Sequence, residues 1–176
     1  QFPFFQTFNL APRVIMIRVL FVCLGNICRS PLAEAIFNQK IQSLGLSAHF
    51  KSDSAGTSDY HIGELPDERT IRCAQKNGLK ISHRARQVNR TDFREFDYIL
   101  AMDESNLSTI NQMKKQYNFP DKDIYLMRDF VKGQEGLPIP DPYYGGEKQF
   151  EDIYQILDQS IDGFLEKVKE THQLHA

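Results

Sequence analysis

Apolar residues follow two patterns that alternate along the chain. The apolar run over residues 17–23, interrupted only by Arg18 and rich in β-branched side chains, is typical of a buried parallel strand. Shorter strand-like runs follow at residues 48–54, 97–102 and 123–127. Apolar positions spaced three or four residues apart predict helices between and after them. These helical patterns cover residues 31–41, 66–76 and 150–169, and a further helix is expected to begin near Asp103 or Ser105.

Strands that alternate with helices indicate βαβ units. We therefore expect a single α/β domain with a mostly parallel sheet and helices on both faces. Ligands bind such sheets at the carboxyl ends of the strands. We therefore expect the ligand site to be built from the residues that follow Cys23, Ser54, Met102 and Met127.

Composition narrows the possible partners and the compartment. The 176 residues carry a net charge of −2, and no apolar stretch reaches the length of a membrane span, so we expect neither a nucleic-acid nor a membrane partner. Only three cysteines are present, which favours a reducing compartment, and we expect the protein to be cytoplasmic.

The two ends of the chain are expected to lie outside the domain at residues 16–171. Met16 directly precedes the first strand, so residues 1–15 are interpreted as an upstream extension or a cloning remnant. The alternative is a native arm whose phenylalanines pack on the domain. Residues 172–176 are expected to fray.

The loop after the first strand has the composition of a phosphate cradle. A loop between a strand and a helix N-terminus points several backbone N–H groups into one concavity, and the helix adds positive potential. Gly25 permits a tight turn, and Asn26 tolerates a left-handed backbone. Arg29 offers a planar fork that matches two phosphate oxygens. The candidate phosphate-binding residues are Leu24, Gly25, Asn26, Ile27, Cys28, Arg29 and Ser30.

Cys23 lies at the foot of this cradle, where a thiolate would attack a bound phosphorus atom. Arg29 and the helix favour the thiolate, which is the nucleophilic form of cysteine. Ser30 can donate a hydrogen bond to the departing sulfur. Asp141, stiffened by flanking prolines, is the candidate acid and base, and Tyr143 and Tyr144 beside it can wall a slot for a flat ring.

Taken together, these stretches resemble the low-molecular-weight protein-tyrosine phosphatases. Residues 22–31 resemble the family signature C-x-G-N-x-C-R-S-P, and residues 141–145 resemble its acid loop. Residues 53–57, 97–100 and 102–107 match in order between them. The resemblance extends from Ile17 to about Lys169.

The resemblance implies a four-stranded parallel sheet and a reaction without metal or other cofactor. It implies Cys23 as nucleophile, Arg29 as phosphate clamp and Asp141 as general acid and then base. The implied substrate is a phosphotyrosine-containing protein or a small aryl phosphate. The implied supporting hydrogen-bond network is Asn26, Ser30, Ser54 and His83, and the implied substrate slot is Ile27, Tyr60, Tyr143 and Tyr144.

Several of these residues have a second interpretation. The resemblance gives Cys28 a reversible disulfide with Cys23, but Cys28 can also simply pack beneath the loop. Cys73 is interpreted as a core residue. His83 could act as a base rather than as a structural partner, and Asp103 could be the acid or the cap of the following helix.

Three rival functions share parts of this pattern. A protein-arginine phosphatase has threonine before the second cysteine, whereas Ile27 here favours an aromatic ring over a guanidinium. A thioredoxin-coupled arsenate reductase needs further redox cysteines, and only Cys73 is available. A silent phosphotyrosine-binding module would need neither Cys23 nor Asp141.

Overall fold

The computed structural model describes residues 14–175, which form a four-stranded parallel sheet with helices on both faces. The strands are β1 (Ile17–Cys23), β2 (Phe50–Gly56), β3 (Tyr98–Ala101) and β4 (Ile124–Leu126), in the order β2-β1-β3-β4. The helices are α1 (Arg29–Ser43), α2 (Glu68–Lys76), α3 (Arg90–Glu95), α4 (Glu104–Gln116) and α5 (Glu147–His172). Short 3-10 turns cover Ser47–His49 and Met127–Phe130. The predicted fold class is confirmed.

Side chains of the central strand β1 alternate between two hydrophobic cores. Phe21 faces the larger core, which α1 and α5 close with Phe37 and Phe164. Leu20 and Val22 face the smaller core, which contains residues of α3 and α4. Because β1 is covered on both faces, every residue except the half-buried Arg18 is apolar, and for this reason its bounds were predicted correctly.

Helix boundaries differ from the sequence prediction where capping residues decide them. Helix α2 begins at Glu68 rather than at 66, because the Asp67 side chain caps it by accepting from the Arg69 N–H. The short helix α3 was not predicted. Its signal is a capping box in which the Asp92 carboxylate accepts from the Asn89 N–H at 2.9 Å.

The C-terminal end is more ordered than the expected frayed tail. Helix α5 runs to His172, whose Nε2 lies 2.9 Å from the Tyr98 hydroxyl. Gln173 then adopts a left-handed backbone, and this turn buries Leu174 in the larger core. Leu174, the one large apolar side chain of this tail, was the missed signal.

The expectation for residues 1–15 falls almost wholly on residues 1–13, which lie outside the described part of the chain. Val14, Ile15 and Met16 are described, and their side chains are exposed. Within residues 14–175, no helix is both long and apolar enough to cross a membrane.

Candidate active site

The loop that joins β1 to α1 forms a concave turn at the carboxyl end of the central strand. Asn26 has a φ of 57°, the left-handed conformation that its residue type tolerates. This turn brings the Asn26 N–H to 3.3 Å from Cys23 Sγ and lets α1 begin directly at Arg29. Cys23, Asn26, Arg29 and Ser30 are all buried.

The four predicted supporting residues meet in one hydrogen-bond network. A single backbone group determines which of their atoms donate and which accept. The Arg86 N–H can only donate, and it donates to Asn26 Oδ1 at 2.9 Å. The Asn26 Nδ2 group therefore donates to Ser30 Oγ at 2.8 Å and to Ser54 Oγ at 3.0 Å. The Ser30 hydroxyl can then donate to Cys23 Sγ at 3.0 Å, a shorter contact than its 3.5 Å contact to the Ala55 carbonyl. The network thus supplies a donor to the sulfur, as a thiolate requires.

His83 joins the network to two carboxylates. His83 Nε2 donates to Asn26 Oδ1 at 2.7 Å, and its Nδ1 faces Glu34 and Asp53, each at 3.5 Å. Glu34 in turn accepts from the Ser54 hydroxyl at 2.7 Å. Burial raises the pKa of Glu34 to about 7 and lowers the pKa of His83. This arrangement gives His83 a structural position, away from the lining of the slot.

Arg29 is held in place by groups from two other parts of the sheet edge. Its Nη1 donates to Asp103 Oδ2 at 2.6 Å and to the Ile139 carbonyl at 3.0 Å. Its Nη2 lies 3.4 Å from Asp141 Oδ2. Asp103 also caps α4 by accepting from the Asn106 N–H, so the prediction of a capping role is confirmed. Its ion pair with Arg29 was not predicted.

The acid loop is fixed by Arg69, which the sequence analysis did not identify. Its guanidinium donates to the carbonyls of Gly145 and Tyr143 at 2.8 and 2.9 Å and stacks over the Phe150 ring at 4.7 Å. The Tyr143 N–H donates to Asp141 Oδ1 at 3.1 Å. These contacts hold the Asp141 carboxylate at the mouth of the site, with its side chain 43% exposed.

A cavity of about 270 Å³ opens above Cys23, and every predicted slot residue lines it. Tyr143 and Tyr144 meet edge to face at 5.1 Å between ring centroids, and Tyr144 is almost fully exposed. The His61 side chain also lines this cavity, although the sequence analysis did not single it out. The predicted residues lining the cavity are Cys23, Leu24, Gly25, Ile27, Cys28, Arg29, Tyr60, Asp141, Tyr143 and Tyr144.

The other two cysteines are buried thiols in different surroundings. Burial, together with the charges of Asp67 and Cys23, raises the pKa of Cys28 to about 12. Cys73 packs in α2 against the Phe150 carbonyl, and burial raises its pKa to about 11. Cys73 is therefore a core residue, as predicted, whereas Cys28 lines the same cavity as Cys23.

Comparisons with known proteins agree with this geometry. The family model "Low molecular weight phosphotyrosine protein phosphatase" matches residues 18–174. The human phosphatase of that name is 46% identical over 149 residues, which cover 85% of this chain and 94% of that protein. A protein tyrosine phosphatase from Entamoeba histolytica superposes with a TM-score of 0.82 at 39% identity, covering 89% of this chain and 99% of that one. The Drosophila arginine phosphatase DARP superposes with a TM-score of 0.83 at 35% identity, covering 87% of this chain and 98% of that one.

The Arg29–Asp103 ion pair can be tested without losing the α4 cap. Asparagine caps helices about as well as aspartate does. We expect Asp103→Asn to lower kcat/KM for an aryl phosphate about tenfold, because Arg29 loses a charged partner, while the melting temperature changes little. Asp103→Ala should lower both quantities. An unchanged kcat/KM in Asp103→Asn would contradict the positioning role.

Proposed function

The chain belongs to the low molecular weight phosphotyrosine protein phosphatase family and is a protein-tyrosine phosphatase; on that premise we propose that Cys23, Arg29 and Asp141 perform its reaction. The observation that supports this most directly is the pair of donors directed at Cys23 Sγ. The Asn26 N–H lies at 3.3 Å and the Ser30 hydroxyl at 3.0 Å. Two donors on a buried sulfur stabilise the thiolate, which is the nucleophilic form.

In the first step the Cys23 thiolate attacks phosphorus, and the bond from phosphorus to the aryl oxygen breaks. Asp141 gives its proton to that oxygen, so a neutral phenol leaves. The backbone N–H groups of residues 24–30 and the Arg29 guanidinium hold the phosphoryl oxygens. The product is a cysteinyl-phosphate.

In the second step a water molecule attacks the cysteinyl-phosphate, and the sulfur–phosphorus bond breaks. The Asp141 carboxylate, which has already lost its proton, takes one from the water. The departing sulfur receives the hydrogen bond from Ser30. Inorganic phosphate leaves, and the thiolate is restored.

Arg29 keeps two of its contacts throughout this cycle. The Nη1 bonds to Asp103 and to the Ile139 carbonyl fix the plane of the guanidinium. The longer Nη2 contact to Asp141 is the one that a phosphoryl oxygen replaces. Substrate binding therefore releases the Asp141 carboxyl toward the leaving oxygen.

The slot walls favour an aryl group over a guanidinium. Ile27, Tyr60 and Tyr143 present apolar surface around the cavity. A phosphoarginine side chain would place N–H donors against these walls, where the apolar surface offers them no acceptor, and a buried donor without an acceptor costs free energy. DARP is named an arginine phosphatase and shares the fold, so phosphoarginine is the second candidate substrate.

A phosphotyrosine-containing protein or a small aryl phosphate would satisfy the same slot, and the proposed mechanism uses no metal or cofactor. The three free, buried cysteines suit a reducing compartment, and we place the activity in the cytoplasm.

The substrate proposal is tested with two peptides of equal length, one phosphotyrosyl and one phosphoarginyl, in the presence of a chelator. We expect phosphate release from the first to exceed that from the second at least tenfold in kcat/KM, because only the aryl ring fits the apolar walls. Cys23→Ser should abolish release from both. A preference for phosphoarginine would overturn the substrate assignment and leave the nucleophile intact.

The role of Asp141 is tested with leaving groups of different basicity. Asp141→Asn removes the proton donor, so kcat/KM for phenyl phosphate should fall about 100-fold. The loss for p-nitrophenyl phosphate should be smaller by about tenfold, since a good leaving group needs little protonation. Equal losses for the two substrates would argue against Asp141 as the acid.

We also propose the reversible Cys23–Cys28 disulfide as a response to oxidants. The pKa of Cys28 is raised to about 12. At any pH below this value, raising the pH by one unit increases the thiolate fraction of Cys28 about tenfold. After mild peroxide, mass spectrometry should show the disulfide forming faster at pH 9 than at pH 7. Overoxidised Cys23 beside an untouched Cys28 would refute the pairing, and Cys28→Ser provides the reference for overoxidation.

A further inference from the structure

A second groove, of about 520 Å³, opens beside the substrate slot. The two cavities share the side chains of Ile27, His61 and Tyr143. A peptide whose phosphorylated ring occupies the slot must leave the slot at its mouth, and the groove continues from there. The groove is therefore a path for the residue next to the phosphotyrosine.

The wall of this groove is a loop that main-chain hydrogen bonds hold rigid. The Asp67 N–H donates to the Ile27 carbonyl at 2.9 Å, which ties the loop to the cradle. The Gly63 N–H donates to the Ala85 carbonyl at 2.8 Å, and the Ala85 N–H donates back to the Glu64 carbonyl at 2.9 Å. Glu64 is thus presented from a fixed backbone, which lowers the entropy cost of binding.

The two arginines of the groove each bind a carboxylate of this chain. Arg69 donates from Nε and Nη2 to the two oxygens of Asp67 at 3.0 and 2.9 Å, and this bidentate pair lowers the pKa of Asp67. Arg72 Nε donates to Glu147 at 3.2 Å, and Lys76 Nζ donates to the same carboxylate at 3.3 Å. The Arg69–Asp67 pair therefore adds no net charge to the groove, and Arg72 is held by Glu147.

Two carboxylates of the groove are exposed to solvent. Glu68 is 92% exposed, and Arg72 Nη1 lies 3.9 Å from it, a longer contact than that of Arg72 Nε to Glu147 at 3.2 Å. Glu64 is 58% exposed and accepts from His61 Nδ1 at 2.7 Å. Leu65 lies between these acids in sequence, with 54% of its surface exposed.

We propose that Glu64 and Glu68, with Leu65 between them, form a subsite for a lysine or arginine adjacent to the phosphotyrosine of the substrate. The aliphatic stem of such a residue covers Leu65 while its charge meets the carboxylates. This inference rests on the proposed function, because it extends the same slot. It makes Glu64 and Glu68 specificity-determining residues with no part in the phosphoryl transfer.

The test uses phosphotyrosyl peptides that differ at one position, which holds Lys, Gln or Glu. One set varies the residue before the phosphotyrosine, and the other set varies the residue after it. At pH 7.5 and low salt, we expect one set to give kcat/KM in the order Lys, Gln, Glu, with about a three- to tenfold advantage of Lys over Gln. The advantage should shrink in 0.5 M salt, because exposed charges are screened.

The variant Glu64→Gln/Glu68→Gln should bring the Lys-to-Gln ratio close to one, and Glu68→Lys should favour the Glu peptide. Glu166→Gln, an exposed position on α5, is the matched control and should keep the wild-type ratio. If kcat/KM does not depend on the charge of the varied residue in either set, the subsite is refuted while the proposed function stands. The same holds if the double variant keeps the wild-type Lys-to-Gln ratio. Absence of turnover for every peptide by the wild-type protein would instead overturn the proposed function.

Discussion

The hydrogen bond from the Arg86 N–H to Asn26 Oδ1 determines the polarity of the whole site. A backbone N–H has no alternative role, so it fixes the orientation of a buried amide, and that amide fixes two serine hydroxyls. A reversed amide would leave buried donors and acceptors unpaired, at a cost of about 1–3 kcal/mol each. The hydroxyl that faces Cys23 is thus oriented through Asn26 by the backbone N–H of Arg86, which lies beyond β2 in the sequence.

Local features of the site were predictable, and long-range ones were not. The cradle is formed by consecutive residues of one loop, so the roles of its members could be inferred from their neighbours in the sequence. These members include Gly25, Asn26, Arg29 and Ser30. The partner of Arg29 is different, because Asp103 is 74 residues away and reaches it only since β3 lies beside β1. Strand order in a parallel sheet is not encoded in any one segment. A carboxylate directly after a strand was nevertheless a visible signal, although Asp103 was predicted only as an acid or a cap.

The fold class was predicted correctly, and the features of the fold that were missed are short ones. The long apolar run of β1 and the helical period of α5 were found because many residues share the pattern. Helix α3 has six residues and depends on one capping box, and the ordered tail depends on the burial of Leu174. Features held by one or two side chains carry too little periodicity to be recognised from spacing.

The loop that forms the wall of the groove is joined to the cradle mainly through main-chain atoms. The Thr57 and Asp67 N–H groups donate to the carbonyls of Cys23 and Ile27. Side chains between these anchor points can therefore be exchanged without altering the hydrogen bonds that hold the nucleophile. For protein engineering, residues 59–62, 64 and 65 can be varied together, with Gly63 kept because its φ of 84° favours glycine. A library at these positions could retarget the enzyme while its chemistry stays constant.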